Sequence, residues 1–278
     1  MKSMKTNRGR LMFGVLLLLT LTQTPVFAGS RKEKSAAPEE APPQGPVTLL
    51  VAAAASLENT YVQELIPLFQ KQYPRITVQG IYDSSGRLQT QIEQGLEADV
   101  FMSAATRQMD ALVDKNFIAA ASVKPLLQNK LVLIKPVGTA TAVTGFQNIT
   151  EARIIALGDP ATTPAGQYAQ EAFTNLGIWE AVSAKVSLGS NVTEVLNWVG
   201  EGSAEVGIVY ATDAASTPKV AIIEELPEGL LATKVIYPVG MLRASQHPEE
   251  AQLFINFLAS SEALGVFQTF GFSPNPDQ

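Results

Sequence analysis

The 278-residue chain contains no cysteine and a single histidine, His247. The first absence excludes disulfides, thiolate metal sites, a cysteine nucleophile and a lipid anchor carried on a cysteine. The second leaves almost no material for histidine-based catalysis, and His247, in "SQHPEE", reads as a solvated residue before a helix. Charge is also scarce, at 17% of residues, against 46% apolar residues. This composition describes a globular chain rather than a disordered one. Long apolar runs are missing: "LMFGVLLLLTL" (Leu11–Leu21) is shorter than the ~20 residues a membrane-spanning helix needs. No phosphate-loop, dinucleotide-binding or zinc motif occurs.

What is present begins with an export signal. Lys2, Lys5, Arg8 and Arg10 precede the apolar run, and "VFA" offers small residues at the cleavage spacing, so residues 1–28 are expected to be a cleaved signal peptide. "GSRKEKSAAPEEAPPQGP" follows as a flexible leader over residues 29–46, rich in Pro, Ala and charge. The expected product is soluble and exported, most simply into a Gram-negative periplasm. Cleavage removes four of the 20 basic residues and none of the 26 acidic ones, leaving a net charge of −10. That balance argues against nucleic acid, whose binding rests on lysine and arginine neutralising phosphates. It also means that net charge does not draw a small anion to this protein.

From Val47 onward short apolar segments alternate with amphipathic ones. "VTLLVAA", "ITVQGIY", "ADVFMSA", "KLVLIKP", "ARIIALGD", "KVSL", "EVGIVY" and "KVAIIEE" read as strands, with helices between most of them. "PEEAQLFINFLAS" and "EALGVFQTFGF" read as helices near the end. This alternation predicts an α/β protein with mostly parallel sheets, and so many strands predict two sheets. Ligands of such folds sit beyond the carboxyl ends of strands, where helices begin.

Four strand-to-helix turns share a chemistry. "AAAASLEN" puts Ser56 at an expected N-cap after four alanines. "YDSSGRL" puts Ser84 and Ser85 before a helix. "GDPATTPAGQYAQEAF" has Thr163 as N-cap and Pro164 at the first helical position, with Ala165 and Gly166 leaving the backbone uncovered. "LGSNVTEVLNWV" has Ser190 or Asn191 as cap and Val192 among the first helical residues. Helix N-termini carry unsatisfied N–H groups and partial positive charge, and so bind anions without lysine or arginine. Small residues beside them let an oxyanion reach the backbone.

Over Val47–Phe272 the chain resembles the periplasmic molybdate-binding proteins of ABC transporters, the ModA family. The stretches that carry the resemblance are "AAAASL", "SSGRLQTQIEQGLEADVFMSA", "GDPATTPAGQYAQEAF", "VGIVYATDA" and "YPVG". The resemblance implies a type II periplasmic binding protein fold, with two α/β lobes, a mostly parallel sheet in each, and a hinge between them. Lobe one would comprise residues 47–128 and 235–278, and lobe two residues 129–234. It implies oxyanion-binding roles for the hydroxyls of Ser56, Ser85 and Tyr210 and for the backbone N–H groups of Ala165 and Val192, with Ser84 as the alternative to Ser85. It further implies molybdate or tungstate as ligand, no cofactor, no protein side chain bonded directly to the metal, and no catalysis. The implied partners are an inner-membrane permease with its cytoplasmic ATPase, the protein itself being a monomer.

Two other readings stay open on the residues. The receptor could serve sulfate or phosphate. A phosphate site can use a carboxylate to accept the ligand's proton, and Asp83 and Asp159 lie near the turns, although both read first as turn formers. The chain could instead be a hydrolase using Ser56, but "AAAASLE" is not G-x-S-x-G.

Overall fold

The computed structural model describes residues 45–276. The expected signal peptide and the leader up to residue 44 lie outside the described residues. Eleven strands there form two sheets. In order across the first sheet lie β11 (Ser273–Pro274), β4 (Lys124–Asn129), β10 (Val235–Met241), β3 (Val100–Met102), β1 (Val47–Ala54) and β2 (Ile76–Asp83). The second sheet has the order β7 (Val186–Gly189), β6 (Ile155–Gly158), β8 (Val206–Tyr210), β5 (Leu131–Pro136), β9 (Val220–Glu225).

Both sheets are mixed. β1 runs parallel to β2 and β3, and β6 runs parallel to β7 and β8. The antiparallel pairs involve β4, β5, β9, β10 and β11. The alternation of strands and helices captured the parallel pairs, which need helical crossovers. It did not register β4 and β10, which pair directly. Only Lys130 separates the end of β4 in one sheet from the start of β5 in the other.

β1 shows how sequence places the site. Val51–Ala54 are buried, because the strand is flanked on both edges and covered by helices. A strand covered on both faces reads as a continuous apolar run instead of alternating. At its carboxyl end the chain enters a helical segment over residues 55–72 with almost no loop. That segment holds a π-turn at Tyr61–Leu65. Pro67 follows it, and its missing N–H accounts for the irregular ladder.

The core of the first sheet is aromatic. Tyr61, Phe69, Phe254 and Phe267 are all fully buried. The Phe254 ring meets Phe69 edge-on at 4.9 Å and Tyr61 at 6.1 Å. Phe254 and Phe267 come from the last two helices, Pro248–Leu258 and Ser261–Thr269. The end of the chain thus completes the core begun by its first strand. Phe254→Ala should lower stability by about 3–5 kcal/mol. Urea unfolding with an unchanged slope would check it, and a loss under 1 kcal/mol would mean that the cluster is loosely packed.

Candidate ligand-binding site

Five helical starts and one strand end meet at a small cavity. Ala54 at the end of β1 lines it with Ala55 and Ser56, as do Ser84 and Ser85 after β2. Ala104 follows β3, while Thr163, Pro164 and Ala165 follow β6. Asn191 and Val192 follow β7, and Tyr210 closes β8. All five residues that the resemblance named therefore line one cavity, together with the alternative Ser84. The cavity measures ≈ 10 Å³, about the space of one water molecule and far too small for a sugar or a peptide.

Its polar side chains are hydroxyls and one amide; no ionisable carboxylate, lysine or arginine lines it. Two of these hydroxyls, on Ser84 and Tyr210, are buried without a hydrogen-bond partner. Leaving such a group unpaired costs about 1–3 kcal/mol, so unpaired buried groups point to a missing partner. Burial pushes the Tyr210 phenol well above its usual pKa. It therefore keeps its proton and can donate. Ser85 Oγ accepts the Ala104 N–H at 3.0 Å, which leaves its own hydrogen for another acceptor.

Helix starts supply the remaining donors. Pro164–Asn175 begins with proline at its first position, and Val192–Gly200 is capped by Asn191, whose Oδ1 accepts the Glu194 N–H at 3.0 Å. The first N–H groups of both helices have no partner within the helix, and Ala165 and Val192 carry two of them. Gly166 explains the "PAG" spelling: a methyl group there would collide with the carbonyl of Gly158, so the helix start sits directly on the backbone of β6.

Several sequence expectations change in detail. Ser56 is not at the N-cap: Ala54 holds that position, and Ser56 lies inside the first turn. Its hydroxyl is thus not committed to capping and bonds Tyr237 Oη at 2.9 Å. Ser84 takes the backbone position of N-cap without a side-chain cap bond. Thr163 does likewise, its hydroxyl donating to the Ser190 carbonyl at 3.3 Å. Of the two candidate caps in the fourth turn, Asn191 is the one that caps. Asp83 and Asp159 do not line the cavity. Asp83 Oδ1 accepts the Ser84 N–H at 2.7 Å, and Asp159 Oδ1 accepts the Ala161 N–H at 2.9 Å. Both act as turn formers, which removes the carboxylates that a protonated phosphate would need. His247 precedes the Pro248–Leu258 helix and is not among the cavity residues, so Ser56 has no histidine beside it.

Sequence reasoning missed Tyr237 and Asn129. Both are buried, and Asn129 Nδ2 donates to Tyr237 Oη at 3.2 Å. "YPVG" carried part of the resemblance but was assigned no role. The usable signal was a tyrosine in an otherwise apolar strand, whose hydroxyl must find a partner when buried.

A family model of bacterial extracellular solute-binding proteins matches residues 49–273. The chain belongs to that family. It is 33% identical to the molybdate-binding protein ModA of Escherichia coli, over 89% of this chain and 96% of that one. It is 34% identical to ModA of Haemophilus influenzae, over 80% and 89% of the two chains. The Azotobacter vinelandii periplasmic molybdate-binding protein shares the fold, with a TM-score of 0.70 at 22% identity, covering 81% of this chain and 98% of that one. Among the described residues of this solute-binding protein, no helix is long and apolar enough to cross a membrane.

One buried acid stands behind the site. Asp213 Oδ2 accepts the Tyr210 N–H at 3.0 Å, and burial pushes its pKa up to about 7. In the unfolded chain an aspartate titrates near ~3.9. Between these values the native state holds a proton that the unfolded state has lost, so stability falls as pH rises across this window and levels off above it. The slope from this group is at most about 1.4 kcal/mol per pH unit. Asp213→Asn keeps an acceptor for Tyr210 and should flatten the profile between pH 4 and 7. Denaturation of both proteins at stepped pH would test this, and identical slopes would place the charged form of Asp213 in a solvated environment.

Proposed function

We propose that this solute-binding protein captures molybdate, and also tungstate, and delivers it to an ABC transporter permease driven by a cytoplasmic ATPase. The observation that carries the reading is the small cavity lined by neutral donors, two of them unpartnered, with no carboxylate among its lining residues. Molybdate is a fully deprotonated dianion at neutral pH and offers only acceptors, so every group touching it should donate. The two ModA relatives support the choice among oxyanions. Tungstate has nearly the same size and the same charge.

In this reading Ser56, Ser85 and Tyr210 donate through hydroxyls, and Ala165 and Val192 through the backbone. Ser56 and Ser85 belong to a lobe of residues 47–128 and 235–278, and the other three to a lobe of residues 129–234. The ligand favours the closed form because only that form offers both sets of contacts. The protein acts as a monomeric receptor without catalysis. Export by cleavage of residues 1–28 delivers it to the periplasm, with residues 29–46 as a leader.

Ligand that binds only the native state stabilises it by about 2.7 kcal/mol at a hundredfold excess over Kd. Molybdate and tungstate should each raise the Tm by several degrees, and sulfate at equal concentration should do little. Equal shifts from sulfate and molybdate would overturn the selectivity, and the absence of any oxyanion effect would overturn the function.

Calorimetric titration of variants tests the donors. Ser56→Ala and Ser85→Ala each remove a charge-assisted bond worth about 1.5–3 kcal/mol, a loss of roughly tenfold or more in affinity. Tyr210→Phe keeps the ring and should cost about 1–3 kcal/mol of binding without lowering the stability of the empty protein. Normal affinity in Tyr210→Phe would remove that hydroxyl from the site. A loss in Ser84→Ala but not in Ser85→Ala would shift the second-turn ligand by one residue.

A further inference from the structure

The buried acid behind the site has no counter-charge. Asp213 is 7% exposed and lies in the short helix Ala211–Ala215, which follows Tyr210 directly. Its Oδ2 accepts the Tyr210 N–H at 3.0 Å. It lines one groove with Ala55 and a second with Ser56, and both of those residues also line the cavity. Asp213 therefore stands directly behind three cavity residues. Tyr210 and Tyr237 face it from β8 and β10, and burial keeps both phenols protonated. Glu58 and Lys219 share the first groove with it, both exposed and opposite in charge. The Val192–Gly200 helix presents only uncharged residues to that groove, and residues 268–272 do the same in the second. Among the described residues no lysine or arginine pairs with Asp213. A charged Asp213 thus sets an uncompensated negative charge behind the cavity. Burial holds its pKa up at about 7, so the neutral and the charged forms coexist at neutral pH.

We propose that Asp213 is a positioning residue that couples anion capture to proton uptake: it aligns Tyr210 through the backbone and favours a dianion in the cavity only as the neutral acid. A bound dianion disfavours a like charge beside it, so binding draws a proton onto Asp213. By linkage the same coupling makes affinity depend on pH. Below the native pKa the acid is already neutral and affinity is level. Above it each ligand must bring a proton, and affinity falls by up to about tenfold per pH unit. The Tyr210 N–H keeps an acceptor in both forms, so its alignment survives while the charge changes. The proposal rests on the oxyanion reading of the cavity and adds a proton to its cycle, with capture favoured on the acid side of neutrality and release on the alkaline side.

The test is calorimetric titration of the full chain with molybdate, in buffers of different ionisation enthalpy, from pH 6 to pH 8.5. Molybdate itself carries no proton in this range, so any proton exchanged belongs to the protein. The wild-type protein should take up about half a proton per molybdate at pH 7 and close to one at pH 8. Its affinity should fall roughly tenfold between pH 7 and pH 8.5. Asp213→Asn keeps an acceptor for Tyr210 and removes the charge. It should match the wild-type affinity at pH 6, show a flat profile above it and exchange no proton. A merely structural role for Asp213 predicts instead that the variant loses affinity equally at every pH and keeps the wild-type slope, which would overturn the proposal. Proton uptake that persists in Asp213→Asn would assign the proton to another group and overturn it too. If the variant fails to fold, the wild-type proton count decides alone. A wild-type protein that binds molybdate with no proton exchanged overturns this proposal only, and one that binds no oxyanion overturns the oxyanion reading with it.

Discussion

The structure turns on the need of buried donors for an acceptor. Ser84 and Tyr210 hold unpaired hydroxyls at the cavity, while almost every other buried polar side-chain atom among the described residues is bonded. Their strands and helices could have paired these groups internally, as Asn191 pairs the start of its own helix. Instead the turns aim them at one point. Tyr210 ends the central strand of the second sheet, where its ring is fixed by Tyr237 and its backbone by Asp213. The rigid parts of the fold serve to keep those donors from finding each other.

Contacts that join the halves of the cavity repeat the same logic with backbone groups. The Gly86 N–H donates to the Thr162 carbonyl at 2.9 Å, bridging the second and third turns. A methyl group at residue 86 would strike that carbonyl, so the glycine of "SSG" permits the approach. Asn191 Nδ2 reaches Asp83 Oδ1 at 3.3 Å, and Gln108 Nε2 reaches Gln167 Oε1 at 3.0 Å. Each of these bonds links a residue near the first sheet to one near the second. Each is an uncharged or singly charged hydrogen bond of modest net worth, about 0.5–3 kcal/mol.

Much of this was legible in the sequence, for physical reasons. Buried strands announce themselves as short apolar runs, and helix starts announce themselves through Ser, Asn and Pro. The four turns were found on those signals, and their shared chemistry follows from what a helix N-terminus lacks. Two things could not be read locally. Whether Ser56 caps a helix depends on where β1 passes into the turn, and Ala54 took the cap because the helical segment begins two residues earlier than the serine suggests. The bonds from Asn129 to Tyr237 and on to Ser56 span 108 and 181 residues of chain. No periodicity reports such distances. The extra antiparallel pairs escaped for the same reason, since β4 and β10 meet only because the chain leaves the first sheet after Asn129 and returns at Val235.

A receptor with an excess of acidic residues that takes up an anion must solve attraction and release together. Net charge repels the ligand at long range, but that field is screened within about a Debye length, ~8 Å in physiological salt. Inside the cavity, whose lining is buried, the partial charges of helix starts act at close range with little screening. A lysine or arginine in the same place would bind the anion in the open form as well, through one lobe alone. Under the proposed function, neutral donors divided between Ser56 and Ser85 on one side and Ala165, Val192 and Tyr210 on the other would hold it only while both sides are present. In that reading, opening would part the two sets of donors and readmit water, with no fixed counter-charge among the cavity residues to retain the ligand. On the proposed function, the absence of basic side chains from the cavity serves delivery as much as recognition.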